Sequence, residues 1–126
     1  MRSLVWGIMF FTLASLVCER GNAVEGEQWW PNREQIAALE KAVALPERAL
    51  PIDRYAKYYT GYIYEGRKRV LARYVAFTSE ARKAGEIYIV DLDHLPMIFD
   101  GGCGVVTLDF DFESGQLTSV FCNGLA

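Results

Sequence analysis

The feature that most constrains this chain is a strict two-residue alternation near its C-terminus. Two sets of side chains alternate there, the apolar Val106, Leu108, Phe110 and Phe112 and the polar Thr107, Asp109, Asp111 and Glu113. Because successive side chains of a strand point to opposite faces, the pattern predicts a strand with one buried and one acidic face. Ser114-Gly115 predicts a two-residue turn, and residues 117–122 predict the antiparallel partner. The apolar face of this pair must be covered by another element.

A helix is predicted over residues 33–45. Asn32 and Gln35 have the spacing of a capping box, in which each side chain accepts a backbone N–H at the helix start. Apolar side chains then recur at helical spacing, at Ile36, Leu39 and Val43. Pro46 ends the pattern because proline cannot continue a helix.

The middle of the chain predicts further strands. Residues 52–59 fit either a short helix opened by Pro51 or a strand, and we favour a helical turn that passes into a strand near Tyr59. The β-rich runs 62–64 and 70–77 are joined by "EGRKR", which predicts a hairpin. Residues 87–90 predict a short apolar strand, and residues 91–104 have no periodicity and several glycines, which predicts a loop.

These elements predict an α+β fold. One N-terminal helix, or two, would pack on a four- to five-stranded antiparallel sheet. Cystatin-like domains share this layout, as do many unrelated folds, so the layout assigns no function. We expect residues 24–126 to form a single domain, because 126 residues suit one hydrophobic core.

The N-terminus predicts export. Residues 3–18 are uncharged and largely apolar, Arg2 precedes them, and Gly21 and Ala23 are placed like a small-x-small cleavage signal. We therefore expect residues 1–23 to be a signal peptide and the mature protein to be periplasmic or secreted, without a stable membrane anchor. A spanning helix would need roughly 20 apolar residues. Lipid attachment at Cys18 is an alternative, although residues 15–17 lack the expected small residue beside it.

The charge of the mature chain argues against two classes of partner. Cleavage would remove two of the 13 basic and one of the 16 acidic side chains, which leaves 11 and 15 and a net charge of −4. Nucleic-acid and anionic-membrane binders depend on positive charge, so we expect neither partner. The basic run at residues 67–69 is expected to be a solvated hairpin tip.

Cleavage would also leave one pair of cysteines, Cys103 and Cys122. An even pair in an exported chain predicts a disulfide. In an uninterrupted ladder Cys122 would face Thr107, and Cys103 would lie four residues further, about 13 Å along the strand. Bridged Cα atoms lie within roughly 7 Å. The bond therefore requires the glycine-rich residues 101–104 to fold back, or a bulge to change the register.

The same loop contains the residues with catalytic potential. Cys103 could act as a nucleophile, His94 could accept its proton, and Asp91, Asp93 or Asp100 could orient the imidazole. A metal could be bound by Asp91, Asp93, His94 and Asp100, or by Asp109, Asp111 and Glu113. Only the second set resembles a calcium loop, and the resemblance is superficial. In that set the glycine falls at the seventh position instead of the sixth, and Val120 stands where glutamate is needed. We expect no metal and no cofactor.

The aromatic residues are the best indication of binding. Trp29, Trp30, Tyr58, Tyr62 and Tyr64 form the predicted binding set. If residues 55–64 are extended, its tyrosines share one face, opposite Tyr55 and Tyr59. Large amphipathic rings serve both cores and interfaces, so both roles stay open here.

Two functions are consistent with these features. The favoured one is a small exported binding protein, such as an inhibitor, an immunity-type protein or an envelope accessory factor, that holds a protein partner without catalysis. The alternative is a small hydrolase or isomerase that uses His94 with a nearby carboxylate, or Cys103.

Overall fold

A six-stranded sheet makes up most of the described chain. The structure is a computed structural model and describes residues 27–124. The predicted signal peptide at 1–23 and Cys18 lie outside the described residues. The elements in chain order are β1 (Gln28–Trp29), α1 (Arg33–Glu40), β2 (Ala56–Tyr64), β3 (Arg67–Val75), β4 (Ile87–Ile89), β5 (Gly102–Asp111) and β6 (Gln116–Asn123), with 3₁₀ turns at Ile52–Arg54 and Leu92–His94.

The strand order is β1-β2-β3-β5-β6, and every neighbour in it is antiparallel. β4 pairs in parallel with β2, on the edge that β2 also shares with β1. The hairpin of β2 and β3 has the predicted position, but its tip is only Glu65-Gly66. Both tip residues have positive φ, at 52° and 78°, which matches the twist of tight hairpins.

The predicted α+β fold with a cystatin-like layout is wrong. The described chain is mostly antiparallel sheet with one short helix, and the sheet has six strands instead of four or five. The predicted capping box of Asn32 and Gln35 is present, yet α1 ends at Glu40 instead of residue 45. Lys41 and Ala42 form i→i−3 backbone bonds, which tighten the last turn and end the helix.

The second predicted helix is also absent from this region. Residues 52–54 form a single 3₁₀ turn, and the strand begins at Ala56, three residues before the predicted transition. Tyr55 and Tyr59 are then fully buried beneath α1. An extended backbone places these two side chains on one face of the sheet, as the extended alternative predicted, and that face is the core.

Helix α1 covers one face of the sheet, and the hydrophobic core lies between them. Ile36 and Leu39 of α1 pack against core side chains from β2, β3 and β5, namely Tyr59, Val70, Ala72, Tyr74, Val106, Leu108 and Phe110, together with Tyr55. The predicted apolar face of β5 is therefore confirmed. No helix within residues 27–124 is long and apolar enough to cross a membrane.

The β5–β6 hairpin departs from the predicted ladder in three places. Its turn has four residues, 112–115, instead of two, and the register shifts once near Asp109 and again between Gly102 and Val106. Over the second shift β5 advances four residues while β6 advances one, from Cys122 to Asn123. This bulge brings the Cα atoms of Cys103 and Cys122 to 4.6 Å, within bonding range. The predicted disulfide and the bulge it requires are both confirmed, with Cys122 opposite Val106 and not Thr107.

Candidate functional site

A loop carries the chain across the sheet face that α1 leaves open. We call residues 91–101 the crossover loop, because it connects β4, at the outer edge of β2, with β5 on the far side of β3. Arg73 of β3 points to this face, since its neighbours Ala72 and Tyr74 belong to the core. Its Nη1 donates to the Pro96 carbonyl at 2.6 Å. Leu95 and Thr60 are buried, which is expected where a loop lies over the sheet.

Two side chains from the sheet hold the backbone on either side of Met97. Arg73 binds the carbonyl of Pro96, and Asn123 Nδ2 donates to the carbonyl of Ile98 at 2.9 Å. Thr107 connects them, because its hydroxyl accepts from Arg73 Nε at 3.0 Å and donates to Asn123 Oδ1 at 2.6 Å. We call Arg73, Thr107 and Asn123 the bracing triad. The carbonyls of the residues before and after Met97 are thus fixed by three adjacent strands.

The bracing triad is suited to this task by its chemistry. Burial lowers the pKa of Arg73, but a guanidinium remains charged in proteins. Hydrogen bonds from a charged donor to a carbonyl are shorter and stronger than neutral ones. Thr107 bonds to both Arg73 and Asn123, so a contact within the sheet orients the two side chains that hold the loop. The loop backbone therefore has a rigid support.

Met97 and Phe99 project from this supported backbone into solvent. Their exposed fractions are 72% and 80%, the largest of the large apolar side chains that the structure describes. Phe121, two residues before Asn123 on β6, is also about half exposed. Apolar side chains exposed together on a protein surface mark sites of interaction with proteins or membranes. The backbone of this loop is held in place at two carbonyls, and its exposed side chains are apolar. Such a loop can insert these side chains into an apolar depression on another molecule.

Both ends of the crossover loop are tied down. At its start, the Leu92 N–H donates to Gln28 Oε1 at 3.2 Å. At its end, the disulfide joins Cys103 to β6, and the buried Tyr55 donates its hydroxyl proton to the Cys103 carbonyl at 2.6 Å. The Gly104 N–H donates to the Gly101 carbonyl at 3.0 Å. The predicted fold-back of the glycine segment therefore serves to close the loop onto the sheet.

The structure does not assemble the predicted catalytic set. His94 Nδ1 is hydrogen-bonded to Asp91 Oδ1, which raises the pKa of His94, and the imidazole is 75% exposed. Asp100, the other candidate, lies beside Gly124. Cys103 is bonded to Cys122, so in this form it has no thiolate. Among the described residues, the hydrogen-bond partner of the imidazole is Asp91, and neither Asp100 nor Cys103 is bonded to it.

A cavity of about 230 Å³ adjoins the disulfide. It is lined by Cys103 and Cys122, by Gly102 and Gly124, and by residues 46–48. His94 does not line it. Its volume is below the roughly 300 Å³ at which small-molecule sites usually begin. The cavity therefore does not bring the imidazole to the cysteine, and it offers little space for a substrate.

The acidic strand face is paired with arginines. Arg67 holds Asp111 through two bonds, at 3.1 Å and 2.6 Å, and Arg69 binds Asp109 at 3.3 Å. The bond from Arg67, with help from Ser114, lowers the pKa of Asp111 to about 2. Among residues 27–124 no three metal-ligating side chains cluster. Arg67 and Arg69 of the basic run are thus paired with the acids of β5 across two strands.

In the structure, three members of the predicted aromatic set contact other side chains of the protein, and two are about half exposed. The tyrosines of the set do lie on the face opposite Tyr55 and Tyr59. Tyr58 stacks on Tyr88 with ring centroids 5.0 Å apart, and Tyr62 donates to Asp109 at 2.9 Å. Trp29 packs on Phe112 at 4.8 Å, beside the core. The other two, Trp30 and Tyr64, are about half exposed.

Sequence reasoning missed Met97, Phe99 and the bracing triad. One signal was present, since two large apolar residues two positions apart followed a proline within a predicted loop. Nothing in the sequence paired Arg73 with residue 96 or Asn123 with residue 98.

Comparison with protein-family models, curated proteins and solved structures finds no match to this chain.

Proposed function

We propose that this protein is a small exported binding protein that engages a protein partner through its crossover loop. The observation that carries the proposal is the combination of exposed Met97 and Phe99 with carbonyls fixed at residues 96 and 98. A segment that is already ordered loses little conformational entropy when it binds. Its apolar side chains gain the free energy of leaving water.

The partner is expected to be a protein with an apolar depression. Interfaces are enriched in methionine and aromatic residues at their centres, where water is excluded. Trp30 and Tyr64 are also half exposed and can contribute to a wider contact. Trp29 and Tyr62 are engaged within the sheet, so we assign them a supporting role.

Export is supported by two independent features. The N-terminal sequence has the three parts of a secretory signal. The disulfide is the kind of bond that forms and persists in oxidising compartments. A crossover loop that depends on a disulfide at its C-terminal end would work best outside the cytosol.

The acid–base alternative has one observation in its favour, the bond between His94 and Asp91. A carboxylate in this position orients an imidazole and increases its basicity. The ring is 75% exposed, however, and catalytic charges gain most where water is excluded. Binding through the loop is therefore the better-supported function.

Site-specific photo-crosslinking tests the proposal. A photoreactive amino acid is placed at position 97 of the full chain, or at Glu65 on the distant hairpin tip as a control. The proteins are then exposed to exported fractions. We expect one dominant adduct from position 97 only, and its loss when excess unlabelled wild-type protein competes. A Met97→Asp, Phe99→Asp competitor with an unchanged circular dichroism spectrum should not compete. Equal adducts from both positions, or none from position 97, would contradict the proposal.

A further inference from the structure

We infer that Met97 is the specificity residue of a substrate-like loop that inhibits a serine protease with a large apolar primary pocket. The inference rests on the proposed binding function and names the partner class. The evidence for it is the position of the two held carbonyls, in addition to the exposure of Met97. The carbonyls that the sheet holds are those of the residues directly before and after Met97.

The loop has the form that a protease cleft accepts. Proteases bind the residues around the scissile bond without helical structure and place one side chain in a deep pocket. Leu95 has an extended backbone, with φ −69° and ψ 130°, and residues 96–98 contain no helix, turn or bend. Leu95 is anchored in the protein whereas Met97 is 72% exposed. The exposed side chain is thus free to enter a pocket without disturbing its support.

The chemistry of Met97 selects the class of pocket. Its side chain is long, unbranched and uncharged, so it fits an apolar slot of the kind found in chymotrypsin. A pocket that ends in a carboxylate, as in trypsin, would leave that carboxylate unpaired. Ile98, on the other side of the bond, is partly buried and held by Asn123. We therefore place the reactive bond between Met97 and Ile98.

The braces explain why the loop would inhibit and not simply be cut. The protease serine oxygen attacks the Met97 carbonyl carbon, and the serine proton passes to the protease histidine. The Met97–Ile98 bond breaks as the Ile98 nitrogen takes that proton, which leaves Met97 as an ester on the serine. In an ordinary substrate the new amine diffuses away, and water then hydrolyses the ester.

Here both new ends remain attached to the sheet. Arg73 holds the chain through Pro96, Asn123 holds it through Ile98, and the disulfide ties the downstream strand to β6. The retained amine can attack the ester, return its proton through the histidine to the serine, and rebuild the peptide bond. Groups held in place in this way have effective concentrations of about 10⁵–10⁸ M. Religation therefore outpaces hydrolysis, and the complex persists.

The test measures inhibition by the purified, oxidised protein. Wild type is titrated against chymotrypsin and subtilisin, both with apolar primary pockets, and against trypsin. We expect inhibition of at least one of the first two and not of trypsin. Met97→Gly should weaken it by at least about 30-fold, the threshold of an interface hot spot. Met97→Lys should inhibit trypsin, whereas the matched control Leu92→Lys, in the same loop, should not.

A second variant tests the braces. Asn123→Ala should retain binding but be cleaved between residues 97 and 98 at least about 10-fold faster, because the amine is no longer held. Mass spectrometry identifies the cut, and circular dichroism verifies that each variant is folded.

Four results would overturn the inference. The first is cleavage of wild type as an ordinary substrate, and the second is no effect on either chymotrypsin or subtilisin. The third is inhibition that survives Met97→Gly, and the fourth is a folded Met97→Lys variant that does not inhibit trypsin. The crosslinking experiment separates the two proposals. A specific adduct at position 97 with a protein that is not a protease leaves the binding function standing and removes this inference.

Discussion

Replacing Tyr59 with phenylalanine should destabilise the protein more than the same replacement at Tyr74, because their buried hydroxyls have different numbers of partners. The two oxygens lie 2.5 Å apart beneath α1. Tyr59 also donates to Glu40 Oε2 at 2.7 Å, and the same oxygen receives Lys57 Nζ at 3.1 Å. Since Tyr59 gives its only proton to the carboxylate, Tyr74 must donate to Tyr59. The part of the chain that is described offers Tyr74 no second acceptor.

The expected magnitudes follow from these partners. Tyr59→Phe breaks a bond to a charged group, worth about 1.5–3 kcal/mol, and leaves the buried Tyr74 hydroxyl unpaired, which costs about 1–3 kcal/mol. Tyr74→Phe removes one neutral bond, worth about 1 kcal/mol, while Tyr59 keeps Glu40. We therefore expect the free energy of unfolding to fall by about 3 kcal/mol in the first variant and about 1 kcal/mol in the second.

Urea denaturation followed by tryptophan fluorescence measures both values by linear extrapolation. Tyr64→Phe, at a half-exposed hydroxyl, is the matched control and should stay within about 0.5 kcal/mol of wild type. The double variant should cost less than the sum of the single ones, because it removes the unpaired hydroxyl as well as its partner. Equal losses at Tyr59 and Tyr74, or a larger loss at Tyr74, would refute this account of the network.

Three further predictions concern the same scaffold. Burial raises the pKa of Tyr59 and Tyr74 well above 10, so both stay protonated in the fold where the unfolded chain ionises. The two tyrosines contribute their full stabilisation below pH 10. Above pH 10 the free energy of unfolding measured in urea should fall by about 1.4 kcal/mol per pH unit for each tyrosine. A flat profile to pH 11.5 would be inconsistent with this. Cys103→Ser with Cys122→Ser opens a loop of 19-residue separation and should cost about 3 kcal/mol by calorimetry; a loss below about 1 kcal/mol would argue against the loop-closure account. Gly61→Ala would press a methyl group against the β1 backbone and should cost about 1–3 kcal/mol in urea, whereas no loss would mean that β1 does not pack there.

The sequence predicted the loop of the candidate site but not the hydrogen bonds that hold it. The glycines and the lack of periodicity predicted a loop at residues 91–104, and the structure has one that ends at residue 101, because β5 begins at Gly102. Cysteine parity predicted the disulfide, which is present. The hydrogen bonds that give the loop its form join Arg73 to residue 96 and Asn123 to residue 98, across 23 and 25 residues. No local pattern encodes a partner at that distance. The single-domain and export predictions remain predictions.

The sequence by itself determined the elements whose signals are local. The alternation in β5, the hairpin of β2 and β3, and the capping box of α1 each depend on neighbours within a few residues. Local counting also showed that a straight ladder could not bring the cysteines together, and the structure has the bulge, one of the two predicted ways to do so.

Only the tertiary structure decided how those elements combine. It shortened α1, placed β4 parallel to β2, added β1 and converted residues 56–59 to strand. It also laid the crossover loop over the sheet so that three strands support Met97. The physical reason is that burial and strand pairing are shared between residues far apart in the chain, and their combined free energy exceeds the small local preferences that a sequence displays.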